Sequence, residues 1–96
     1  MEQELIGLIK IVQVKHPGCG TVYTFEAPRN VTLAPGEYVF CETKRSPMEI
    51  GQCITPSFFV NEIQLRTLYN ITLKNLKPIV GRLNPEMFIE KRQVEE

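Results

Sequence analysis

The side chains best able to do chemistry in this chain are few: one histidine, His16, and three cysteines, Cys19, Cys41 and Cys53. Thiolate sulfur and imidazole nitrogen are the right donors for a tetrahedral structural zinc ion. Structural sites usually bring two closely spaced ligand pairs, and here only His16 and Cys19 are neighbours in sequence. A zinc centre on His16, Cys19, Cys41 and Cys53 therefore ranks below free thiols packed as small apolar groups. A thiol nucleophile activated by His16 would have to be Cys19, on an irregular turn, and the sequence has no aspartate to orient the imidazole. Gly-rich phosphate loops, H-E-x-x-H and G-x-S-x-G patterns are all missing from the sequence. The reading is a non-catalytic protein with no cofactor.

Charge gives a second kind of candidate. Eleven Lys and Arg balance eleven acids, all of them Glu, so no whole-chain field draws the protein onto polyanions. The distribution is uneven, because Ile63 to Pro85 contains Arg66, Lys74, Lys77 and Arg82 and no acid. With Lys44 and Arg45 at a hairpin tip, these residues could form a phosphate-facing patch for nucleic acid, or a solvated face offset by neighbouring Glu. The solvated face is favoured. Binding of a protein partner through a sheet edge or hairpin tip is thus the first expectation, with nucleic-acid binding and a structural zinc domain as alternatives.

The elements that must position these residues are mainly strands. Leu8 to Lys15 is rich in β-branched residues, and its slip at Ile11-Val12 implies a bulge or a strand buried on both faces. A Pro17-Gly18 turn leads to Thr21–Ala27, and Ala34-Pro35-Gly36 leads to Glu37–Thr43. A loop around Pro47 leads to Met48–Thr55. If that loop is symmetric about Pro47, Cys41 opposes Cys53, Arg45 opposes Glu49 and Thr43 opposes Gly51. Phe58-Phe59-Val60 reads either as core anchors joining sheet to helix, which is favoured, or as a partly exposed apolar patch for a partner. Asn61 with Gln64 forms a capping box, and Val60 with Leu65 a hydrophobic staple, so a helix should follow over about 62–74. Pro78–Leu83 can close the sheet, and Asn84-Pro85-Glu86 starts a second helix.

The expected fold is α+β: mainly β with one or two helices, as a small, strongly bent antiparallel sheet or SH3-like barrel with a helix after the fourth strand. Residues 1–83 would form one β-rich domain and 84–96 a helical or frayed tail. The 43% apolar and 23% charged content is ordinary for one globular core. The acidic opening, and Lys10 breaking the apolar run, match neither a signal peptide nor a membrane span. A cytoplasmic location with reduced thiols and no membrane contact is expected.

The segments Lys10–Val14, Thr21–Phe25, Leu33–Arg45 and Glu49–Cys53 resemble the N-terminal β-domain of bacterial YaaT-type regulators and short prophage-borne relatives. The shared layout is turn, Gly, acid, hydrophobic strand, Glu-Thr, a basic pair, loop and Gly, with Gly36 and Gly51 where a side chain would obstruct the backbone. The chain departs at Ser46-Pro47-Met48, where relatives tend to carry a glycine after the basic pair. The resemblance implies a bent-sheet fold and a role exerted through protein partners, which in YaaT-type regulators touches sporulation signalling and RNA decay.

Overall fold

The computed structural model describes residues 7–83. Its central strand is β1 (Ile9–Lys15), where Ile11 and Val12 are both fully buried although they point to opposite faces. The slip in alternation thus marks a two-sided strand. Its register to β2 (Val22–Glu26) runs unbroken from Ile11 opposite Glu26 to Lys15 opposite Val22. The other edge of β1 is shared: β5 (Phe58–Val60) pairs with its first half, and β4 (Glu49–Cys53) with Val14 and Lys15. β3 (Tyr38–Cys41) then pairs with β4 on one side and with β6 (Ile79–Leu83) on the other.

The result is one six-stranded antiparallel sheet in the order β2-β1-β4-β3-β6, with β5 also on β1. It curls until β2 meets the segment entering β6, where the Glu26 amide donates to the Lys77 carbonyl at 2.8 Å beside a parallel bridge from Glu26 to Pro78. The expected class therefore stands: mainly β, α+β, a small bent sheet. One detail is corrected, since the helix follows the fifth strand. Phe58–Val60 is a strand as well as an anchor, because pairing with β1 satisfies its backbone while Val60 is buried.

Two apolar clusters lie on opposite faces of β1. Inside the curl are Val12, Val14, Phe25, Leu33, Val39, Cys41, Cys53 and Ile79. Under the helix are Ile11, Val60, Leu65 and Leu76. The helix α1 (Glu62–Tyr69) starts as expected: Asn61 Oδ1 accepts from the Gln64 amide at 2.7 Å, and Gln64 Oε1 accepts from the Asn61 amide at 2.9 Å. It does not reach residue 74. Asn70 adopts the left-handed conformation at φ 56° and ends it, and only a 3₁₀ turn, Leu73–Asn75, follows. The terminal helix expected after Asn84 lies outside the described residues.

The cysteine register is also corrected. Cys41 opposes Glu49, and Cys53 instead donates its amide to the Glu37 carbonyl at 2.8 Å. The turn closes tightly at Thr43–Ser46, where the Thr43 amide donates to the Ser46 carbonyl at 2.8 Å and Thr43 Oγ1 accepts from the Ser46 amide at 3.1 Å. That moves the centre of the hairpin ahead of Pro47. The shift is an even number of residues, so both thiols still face the same core.

Candidate interaction cleft

In an antiparallel pair, successive residues point their N–H and C=O groups alternately toward the partner and away from it. Ala27 donates its amide to the Lys10 carbonyl at 2.8 Å, so Phe25 and Tyr23 also face β1, whereas Glu26, Thr24 and Val22 face the outer edge of β2. Glu26 uses its outward amide on Lys77. Beyond that bond, no strand among the described residues pairs with the outer edge at Thr24 and Val22. The seam of the curled sheet is therefore closed at one end and open along the rest of β2.

A cleft of about 560 Å³ occupies this opening. One wall is β2, with Tyr23, Thr24 and Phe25; the facing wall is Ile71, Asn75 and Lys77 from the segment entering β6. The hairpin tip, Glu42 to Arg45, closes one side, and the Pro17-Gly18-Cys19 turn another. His16 lines the floor and is almost fully buried, with its ring 5.7 Å from both Tyr23 and Phe25. Its Nδ1 lies 2.8 Å from the Ile50 carbonyl oxygen. A carbonyl only accepts, so Nδ1 carries the proton, and in the neutral ring Nε2 is an acceptor.

Glu49 ties the tip to the floor. It accepts from Thr43 Oγ1 at 2.9 Å and from Arg45 Nη2 at 2.8 Å, and stands 3.9 Å from His16 Nδ1. The Thr43 hydroxyl first, then the charge of Arg45, hold its carboxyl below the usual carboxylate range. The expected meeting of Arg45 with Glu49 thus occurs, as a contact across the turn rather than between opposed strand residues.

The six basic candidates do not gather. Lys44, Arg45 and Lys77 line the cleft, whereas Arg66 is exposed on α1 and Lys74 on the 3₁₀ turn. Arg82 sits at the far end of β3, hydrogen-bonded to Glu37, whose carboxyl it holds low. Lys77 is paired with Glu42 at 3.6 Å. The zinc candidates do not gather either. His16 and Cys19 line the cleft while Cys41 and Cys53 are in the core, and among the described residues no group of three or more His, Cys or Glu is placed to hold a metal. Burial pushes the Cys41 thiol up to about 12 and the Cys53 thiol to about 11, so both are protonated near neutrality.

Sequence reasoning missed Tyr23, Phe25, Ile71 and Asn75 as cleft residues. The alternation of Tyr23, Phe25 and Ala27 marked a strand face, but nothing local reveals that β2 ends up on an edge. No known protein family matches this chain, and neither does any curated protein or solved structure. Among the described residues, no helix is long and apolar enough to cross a membrane.

Proposed function

We propose that this chain is a non-catalytic cytoplasmic interaction module, of prophage type, that takes an extended segment of a protein partner as an added strand on the outer edge of β2. The observation that carries the reading is the outward-facing backbone of Thr24 and Val22, with Thr24 lining an open, partly apolar cleft. An exposed edge supplies affinity through main-chain hydrogen bonds, and the pockets beside it supply selectivity. The basic hairpin tip flanks the same opening, so the two contact features expected from the sequence meet at one place. The resemblance to YaaT-type β-domains points the same way, toward work done through protein partners. Nucleic acid is less well served, because two of the three cleft cations are already held by Glu49 and Glu42.

Selecting a displayed random-peptide library on the immobilised protein tests this. Enriched peptides should slow hydrogen exchange at the Val22 and Thr24 amides and lose binding on Thr24→Pro, which removes the outward donor. Enrichment that leaves those amides unchanged, or turnover of a small substrate lost with one cleft side chain, would refute it.

A further inference from the structure

Resting on that reading, we infer that the segment recognised is acidic: an extended peptide that seats an apolar side chain in the cleft and places a Glu or Asp against Lys44. The inference comes from balancing the cleft's groups. Arg45 is taken by Glu49 at 2.8 Å and Lys77 by Glu42 at 3.6 Å. Lys44 is exposed, lines the same cleft, and has no carboxylate partner among the described residues. The cleft thus carries one unmatched positive charge, at its hairpin wall.

The floor sorts the guest's groups in the opposite sense. Nδ1 of His16 is committed to Ile50, and Nε2 has no partner among the described residues, yet no buried side-chain nitrogen or oxygen there lacks one. Nε2 is therefore open to the cleft. A carboxylate brought to the floor would stand close to the Glu49 carboxylate, which lies 3.9 Å from the His16 ring, so it is turned away from the floor and toward the wall that holds Lys44. Phe25, Tyr23 and Ile71 offer an apolar seat between the two. A strand added at Thr24 alternates its side chains between the cleft and the outer face, which brings an apolar residue and an acid into reach of these places.

The experiment uses three capped peptides with one alternating valine–threonine frame and either Glu, Gln or Lys at the variable positions. Their binding to the full chain is followed by fluorescence anisotropy at low and physiological salt, with amide exchange at Thr24 as the second readout. The Glu peptide should bind about tenfold more tightly than the Lys peptide at low salt, a ratio that salt reduces, since exposed charges each contribute only a few-fold. Lys44→Glu, a change at an exposed side chain, should invert the order. Equal binding of all three with protection at Thr24 overturns the acidic preference and leaves strand addition standing. So does a preference for Glu that Lys44→Glu leaves unchanged. No binding by any peptide, with Thr24 unprotected, removes both. A single-stranded oligonucleotide that outcompetes the Glu peptide would assign Lys44 to phosphate and overturn the proposal.

Discussion

Replacing Gly51 with alanine should be among the costliest single methyl additions in this chain. A Cβ built there is driven into Val14 Cγ1 and meets His16 Nδ1 at 3.3 Å and Cε1 at 3.4 Å. Neither neighbour can yield cheaply. Val14 is fully buried in the central strand and, being β-branched, has one torsion to turn. His16 packs against two aromatic rings with Nδ1 bonded to the carbonyl of Ile50, the residue just before Gly51. Forcing a methyl into a packed core costs about 1–3 kcal/mol, and for a domain of this size each kcal/mol lowers Tm by roughly 4–8 °C. A drop of about 5–20 °C is expected in thermal unfolding followed by circular dichroism. The cause is isolated by repeating the substitution in a Val14→Ala background, where the clashing methyl is gone. There the added cost of Gly51→Ala should shrink by about 1 kcal/mol or more, a coupling typical of residues in contact. Gly36→Ala is the control of opposite kind: its surroundings are empty but its φ is +87°, so its cost of about 1 kcal/mol is set by the backbone and is indifferent to Val14. A Gly51→Ala protein that melts with wild type, or whose loss is the same with and without the Val14 methyls, would refute the steric account.

Other outcomes follow from the same structure. In native protein near pH 8 the half-exposed Cys19 should react quickly with a thiol reagent while Cys41 and Cys53 wait for denaturant; equal rates for all three would contradict their burial. The folded thiols of Cys41 and Cys53 keep their protons to about 12 and about 11, whereas unfolded ones ionise near 9.0, so stability should fall as pH rises above about 9, and a flat urea midpoint there would count against the shifts. Lys10→Met should lower stability by about 1–3 kcal/mol, because the nearly buried ammonium donates to the carbonyls of Val31 and Arg29 and lies 5.5 Å above the Phe59 ring; denaturant titration would show it. At the helix ends, Asn61→Ala should cost about 1 kcal/mol by loss of the cap, while Asn70→Gly should hold or raise Tm, since its φ of 56° suits glycine.

Much of the fold was legible because it is written locally. Asn61 and Gln64 cap α1, Val60 and Leu65 meet beneath it, and the Ile11-Val12 slip marks burial on both faces. What failed depends on distant contacts. The helix expected over about 62–74 stops at Tyr69, and Leu68 in its last turn is 68% exposed, because after Asn70 turns the chain it is Leu76 that joins the cluster beneath, with Ile11 and Leu65. The Cys41–Cys53 register assumed a loop centred on Pro47, but hydrogen bonds between Thr43 and Ser46 close the turn earlier. Gly36 and Gly51 were expected to resist a side chain for one reason and do so for two, a left-handed φ in the first and a crowded core in the second. The cleft was half visible: Lys44 and Arg45 at a tip could be read, whereas the open edge of β2 exists only once the sheet has curled.

The double burial of β1 also governs how the molecule comes apart. Its two apolar clusters have no member in common, and in a protein whose cores sat in separate units each would melt on its own. Here one seven-residue strand is a wall of both, with Ile11 facing one and Val12 and Val14 the other. Peeling β1 away from either cluster removes it from the other in the same motion. A lesion under the helix, such as Leu65→Ala, must therefore weaken the curled sheet as a whole, and calorimetry should record a single cooperative transition in both wild type and variant.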